Sequence, residues 1–377
     1  MPEAGHRRIR SPVAATYPLS HYPLFECRRT CYRFSNCMGT MRITKRIPNW
    51  SIEFLKIGLA SAIIWYMIVS GKLNLPSIWA ALFSVKFVAP GISLMFCGIL
   101  ISAWRWRILL AAQDIHITYY EALKLTYIGA FFNTTLPGAV TGDVVKGYYI
   151  IKTQGQDRKI AALTTILLDR VVGISGLIIV AGGSLVLNFV LQDSHSSLAV
   201  KSLQGLVTGL ALFVASFYTY VMIDFDKTGK PRDIMRRALS RLPRAKLLVN
   251  AYDSVKRYGN HPRVLFCALF ASCIVHVFLV TSFILFARAM NETSIRMPQY
   301  FLLVPLGLIT TALPVAPGGI GVGHAAFLAL FHLVGSPRGA DIFTLFVGIG
   351  IVLNLFGVFL YLGYKKEIPS DFEQPDI

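Results

Sequence analysis

Charged side chains are scarce in this sequence: Asp, Glu, Lys and Arg make up 15% of its 377 residues, against about 25% in soluble domains. That deficit excludes a water-facing surface over most of the chain. Acidic residues are scarcer still, 19 against 37 Lys and Arg, which leaves a net charge of +18. Nucleic acid is one partner for such a balance, but here the cations lie between apolar runs rather than on a soluble module, so no nucleic-acid partner is expected. Cationic loops that orient a chain in a bilayer account for the charge instead.

Cysteine is uninformative. Cys27, Cys31 and Cys37 fall near the N-terminus and Cys97, Cys267 and Cys273 in apolar runs, with neither zinc-like spacing nor a disulfide framework. Small buried hydrophobes is the reading their positions favour. Histidines and carboxylates form no cluster with metal-ligand spacing, so neither metal nor cofactor is expected. No GxSxG, HExxH, Walker or dinucleotide-binding pattern occurs in a suitable context. Gly318-Gly319-Ile320-Gly321 lies inside an apolar segment and follows no soluble strand. One long hydrophilic stretch exists, residues 224–263, with eleven Lys/Arg against four Asp. It is too short for a catalytic domain and reads as basic amphipathic helices on anionic lipid. The chain is therefore read as a non-enzyme.

What the sequence has in quantity is apolar length: 54% of residues are hydrophobic, in runs of the roughly 20 residues that cross a bilayer. Continuous spans are expected at 54–72, 87–110, 163–191, 203–223, 264–287 and 342–364. The second ends in Trp104-Arg105-Trp106-Arg107, an aromatic and cationic anchor. Residues 1–48 are polar, basic and aperiodic, and are read as a disordered tail or a start-site artefact, with Met38 and Met41 as candidate true starts. Residues 49–366 then form one transmembrane domain and 367–377 a short tail. The fold class is all-α, a polytopic membrane helix bundle of six to eight transmembrane helices.

Two further apolar stretches are broken. Residues 125–150 are interrupted at Leu136-Pro137-Gly138 and Thr141-Gly142, and residues 299–335 at Leu313-Pro314 and Pro317 to Gly321. Proline removes an amide donor and clashes with the preceding turn, so neither stretch is one straight helix. Non-helical backbone at membrane depth survives only against protein or a wet cavity. Basic segments at 105–124, 146–159 and 224–263 alternate with Lys/Arg-poor loops near 192–200 and 289–298, which puts both termini in the cytoplasm and the two breaks on opposite faces. Each break carries Thr-Thr just before Leu-Pro and glycines after it. Such elements entering from opposite sides are what an inverted-topology repeat produces, with a site near the midplane; ordinary hairpins with similar turn chemistry are the alternative.

The breaks and their flanks hold the candidate site. Asp143 follows a glycine turn, where it would cap the next helix, and Lys146 lies one turn on along the same face. Free amides and a lysine there would hold an anionic headgroup, or else form only a capped helix with a lysine reaching the interface. Asp169 and Arg170 interrupt an apolar helix near its basic end, where ionisable residues pair inside the protein. Adjacent positions point about 100° apart, so other partners are expected: Arg105 or Arg107 for Asp169, and Asp143 for Arg170. His276, His324 and His332 read as hydrogen-bonded core or break-flanking residues.

With these residues in view, the chain resembles the lysylphosphatidylglycerol synthase transmembrane region, a family of flippase-like membrane proteins. The likeness runs over about residues 50–364. It rests on Arg105-Trp106-Arg107, on Phe132-Asn133 through Leu136-Pro137 to Gly142-Asp143-Val144-Val145-Lys146, on Leu168-Asp169-Arg170-Val171-Val172-Gly173, and on Leu313-Pro314 with Pro317-Gly318-Gly319-Ile320-Gly321-Val322. It implies a bacterial or archaeal inner-membrane protein that handles a lipid or lipid-linked substrate. It also implies a translocator rather than a synthase, since nothing here resembles the relatives' aminoacyl-transfer domain. The binding residues it marks are Asn133, Pro137, Gly138, Gly142, Asp143, Lys146, Asp169, Arg170, Pro314, Pro317, Gly318, Gly319 and Gly321, with Arg105 and Arg107 structural. Membrane lipids with anionic headgroups are the expected partners, and an accessory role beside a lipid-modifying enzyme or glycosyltransferase is the alternative. Two departures stand out: Thr141-Gly142-Asp143 and Lys146 replace Gly-Gly-Asp and a following arginine, and Gly323-His324 replace Arg-Glu. Lysine keeps the charge but lacks the two-pronged fork for phosphate.

Overall fold

The computed structural model describes residues 64–135, 140–155, 158–190, 198–222, 245–312 and 319–367, with single positions 58, 61, 62, 237, 240 and 241. The described residues are helical and contain no strand. Five helices are long and apolar enough to cross a membrane: α2 (Val85–Ala111), α5 (Lys159–Val190), α6 (Leu198–Met222), α8 (Pro262–Ala289) and α11 (Gly339–Glu367). They agree within a few residues with five of the six expected spans. Of the sixth, 54–72, residues 54–57, 59, 60 and 63 lie outside the described residues, and the described part is helical at 58, 61, 62 and 64–69. A short helix α1 (Leu75–Leu82) precedes α2; Asn74 caps it, accepting from Ser77 N at 3.0 Å.

Each broken stretch forms a pair of short helices, α3 (Tyr119–Thr135) with α4 (Thr141–Gln154), and α9 (Met297–Thr311) with α10 (Val322–His332). At 1.5 Å per residue they are about 16–26 Å long, too short to cross roughly 30 Å of hydrocarbon alone. In each case the two short helices pack against one another, as hairpins do. The remaining helix, α7 (Ala245–Arg257), is the described part of the basic 224–263 stretch and rests on α5 and α6.

The order α2-α3-α4-α5 recurs as α8-α9-α10-α11, and the packing partnerships recur with it. α3 packs on α11 as α9 packs on α5; α2 touches α3 and α5 as α8 touches α9 and α11. α2 and α8 meet each other. Gly91 abuts Phe286, Gly98 abuts Val275 and Arg105 reaches Ser272. Ascending numbers in one helix face descending numbers in the other, so corresponding helices run antiparallel. This is an inverted-topology repeat, and its two hairpins enter from opposite ends of the bundle.

Core packing follows the same seam. Phe283, Phe286, Phe327, Phe331 and Phe343 are fully buried, and Phe327 stacks between Phe283 and Phe343 at 4.9 and 4.8 Å. The cysteine expectation needs correction: Cys97 and Cys267 are exposed and Cys273 is half-buried. On a bilayer-length helix the outward face is as apolar as the inward one, so apolar surroundings in sequence do not signal burial.

Candidate functional site

The first hairpin is held by glycine and asparagine. A Cβ on Gly142 would lie 1.8 Å from the Gly129 carbonyl oxygen, so α3 and α4 cross closer than any side chain permits. At that crossing Asn133 Oδ1 accepts a hydrogen bond from Gly142 N at 2.8 Å. An amide at the start of α4 is thus satisfied from the partner helix of the hairpin. The expectation that Asp143 caps α4 is corrected by this: Val140 is the N-cap, and Asp143 sits inside the first turn with its carboxylate turned elsewhere. An acid in that turn still favours the helix dipole.

Asp143 reaches across to α5, where Arg170 Nε donates to its Oδ2 at 2.6 Å. One residue earlier, Asp169 Oδ1 accepts from Arg105 Nε at 2.9 Å. The adjacent pair on α5 therefore binds two different helices, α4 and α2, as the 100° turn between neighbours requires. Arg105 is buried, and its Nη1 also donates to Ser272 Oγ at 3.1 Å, which donates to the Val172 carbonyl at 3.0 Å. The result is a buried chain from α2 through α8 to α5. His276 continues it, with Nε2 at 2.9 Å from the Gly173 carbonyl. Arg107 is exposed and donates to the Ile117 carbonyl at 3.1 Å, holding the turn that leads into α3. Of the two arginines offered for Asp169, the structure selects Arg105.

Lys146 lies among these four charged groups on the first turns of α4, close enough that Asp169, Asp143, Arg170 and Arg105 all act on it. Among the described residues it makes no ion pair. Its ammonium stands 4.7 Å from the centre of the buried Trp106 ring, which supplies a cation–π contact. Three basic side chains meet two carboxylates here, and both carboxylates are already paired with arginines. The Trp106 contact has no short-range sequence signal: it joins residues forty positions apart.

A cavity of about 360 Å³ lies beside the last turns of α3. Asn133 and Thr134 line it from the first hairpin, Ile320 from the second break, and Met95, Leu279 and Asn354 from α2, α8 and α11. Asn354 Nδ2 donates to Thr134 Oγ1 at 3.0 Å, giving the otherwise apolar cavity one polar edge. The second break is a backbone device. Gly319 and Gly321 have φ of +70° and +86°, which favour glycine, and Gly321 N donates to His324 Nδ1 at 3.2 Å. Pro137, Gly138, Pro314, Pro317 and Gly318 lie outside the described residues. Of the expected site residues that are described, Asp143, Lys146, Asp169 and Arg170 form the charged cluster, Asn133 lines the cavity and holds Gly142, and Gly319 and Gly321 shape the second break.

A bundle of apolar helices with two half-length hairpins entering from opposite ends defines a polytopic integral membrane protein. The model of the lysylphosphatidylglycerol synthase TM region matches residues 54–363, and the chain belongs to that family. It is also similar to a UPF0104 membrane protein of Pyrococcus horikoshii, 24% identical over 278 residues, 67% of this chain and 78% of the relative. No solved structure matches.

Proposed function

We propose that this protein translocates a lipid or lipid-linked molecule with an anionic headgroup across the cytoplasmic membrane, without catalysing a covalent step. The observation that carries the reading is Lys146, a third basic side chain beside two carboxylates that are already paired. A phosphate at the mouth of the first hairpin would supply Lys146 with an anionic partner. Arg170, whose side chain is 42% exposed, is the neighbour able to turn toward it. Arg105 and Asp169, at 9% and 16%, form the fixed frame beneath. The cavity beside the last turns of α3 supplies a polar edge along a path otherwise apolar, and inverted repeats of this kind support alternating access.

Basic segments at the charged-cluster end favour the cytoplasm for that end, with both termini inside. Membrane lipids are then the partners, and the substrate is drawn from the inner leaflet. The alternative role, scaffolding a lipid-modifying or glycosyl-transfer enzyme through the basic stretch around α7, is separated by reconstitution. Proteoliposomes carrying fluorescent phosphatidylglycerol in the inner leaflet are treated with an impermeant quencher. The expected result is quenching of inner-leaflet probe well above that of empty vesicles, and a loss of tenfold or more in Lys146→Met and Asp143→Ala. Wild-type rates equal to empty vesicles, with an enzyme co-purifying, would instead support the scaffold.

A further inference from the structure

The two halves of the bundle differ just ahead of their first long helices. Four residues before the start of α2 stands Ala81, and four before the start of α8 stands Tyr258, so the inverted repeat puts them at corresponding places at opposite ends. Beside the Ala81 segment the bundle is hollow: a cavity of about 910 Å³ has Asn74 and Ser77 of that segment in its wall. At the other end Tyr258 is fully buried. We propose that Tyr258 is a lid over the charged cluster, and that its withdrawal together with α7 opens the way to the cluster from that end. This deepens the translocation reading above and rests on it for the identity of the ligand.

Helix geometry places the lid. Tyr258 Oη donates to the Leu109 carbonyl at 3.0 Å and meets Thr165 Oγ1 at 2.9 Å. Leu109 lies four residues beyond Arg105 on α2, and Thr165 four residues before Asp169 on α5. Near this end α2 finishes and α5 begins, so both contacts lie one turn, about 6 Å, outside the Arg105–Asp169 bond. The tyrosine therefore bridges the same two helices as the ion pair, one layer nearer the end of the bundle. The segment that carries it is held at its edges. Gln113 Nε2 donates to the Ser254 carbonyl at 2.8 Å, and the Val221 carbonyl leaves no room for a Cβ on Gly259, so the chain lies flush on the end of α6. Arg257 Nη1 reaches Asp114 Oδ2 at 3.3 Å, with side chains 51% and 75% exposed; a pair so open to water is a weak tie. Tyr258 thus closes the gap through hydrogen bonds and one solvated ion pair, which can part without unfolding the long helices. Ala81, with no ring, has nothing to extend across the corresponding place.

The test sets a cysteine beneath the lid. Full-length protein with its six native cysteines replaced by serine and carrying Thr165→Cys is placed in phosphatidylcholine nanodiscs and reacted with an anionic, water-soluble methanethiosulfonate. Tyr258→Ala should speed labelling roughly tenfold, and Tyr258→Phe, which keeps the ring, by less than about threefold. Ala340→Cys, fully buried at the opposite end, should stay protected in every background. A Thr165→Cys rate unchanged by Tyr258→Ala, or a rise that Ala340→Cys shares, would overturn the lid. Phosphatidylglycerol in the nanodisc should speed labelling under the intact lid about threefold, an increase lost in Lys146→Met. If the Tyr258→Ala effect stands without that increase, the lid holds and the anionic lipid is removed as its ligand.

Discussion

Asp169→Asn removes the carboxylate beneath a buried guanidinium, and the structure fixes how much that should matter. Arg105 and Asp169 side chains are 9% and 16% exposed, and their bond is 2.9 Å. With the carboxylate gone, Arg105 keeps only the neutral Ser272 hydroxyl as a described partner. An uncompensated buried charge of this kind costs about 3–5 kcal/mol, whereas replacing both partners by apolar groups is near neutral. The Asp143–Arg170 pair has a shorter bond, 2.6 Å, but Arg170 is 42% exposed. Water therefore replaces much of what Asp143→Asn removes, and about 1 kcal/mol is expected there. The assay is unfolding in mixed SDS and dodecyl maltoside micelles, followed by tryptophan fluorescence. Asp169→Asn should be the most destabilised, Asp143→Asn mildly so, and Arg105→Met/Asp169→Leu within about 1 kcal/mol of wild type. Equal losses in the two asparagine variants, or a double variant as weak as Asp169→Asn, would refute the idea that burial decides which pair is structural.

Other expectations follow from single contacts. Gly142→Ala would force the first hairpin open by more than 1 Å, because its Cβ meets the Gly129 carbonyl at 1.8 Å; overpacking plus the lost Asn133 bond should cost about 2–4 kcal/mol in the same unfolding assay. Tyr258→Phe removes a buried hydroxyl that donates to the Leu109 carbonyl at 3.0 Å and meets Thr165 Oγ1 at 2.9 Å, for a loss of about 1–2 kcal/mol. Glu292 lies between α8 and α9. Burial alone would raise its pKa, but hydrogen bonds from Ser294 and Ser336 and the charge of Arg338 outweigh that and hold it below the ordinary glutamate value. A depressed folded pKa adds stability that is complete above the unfolded value, about 4.3, and is lost as pH falls through the folded one. The stability gap between wild type and Glu292→Gln should thus be constant from pH 7 to about 5 and shrink below about 4.3; a gap that widens on acidification would contradict this.

Spans and breaks were legible because they depend on local composition. Val85–Ala111 and Pro262–Ala289 fall within a few residues of the expected 87–110 and 264–287. Helix geometry also sufficed to say that Asp169 and Arg170 serve different partners, since that follows from 100° per residue. Between Arg105 and Arg107, which end the same helix, local reasoning had no means to choose; Ser272, more than 160 positions away, decides it. The same limit explains why Asn133 rather than Asp143 satisfies the start of α4. Apolar character failed for Cys97 and Cys267 because a bilayer removes the contrast between inside and outside.

The cross-over of the halves also sets a schedule. α3 is covered by α11, through the Asn354–Thr134 bond and the approach of Gly357 to the Tyr127 carbonyl. During synthesis the first hairpin leaves the ribosome more than two hundred residues before the helix that encloses it. Until the last span inserts, a half-length hairpin with broken backbone stands against lipid or a surrogate. Maturation of this chain is therefore a late, concerted closure, and truncation before Gly339 should leave the early hairpin for quality control to remove.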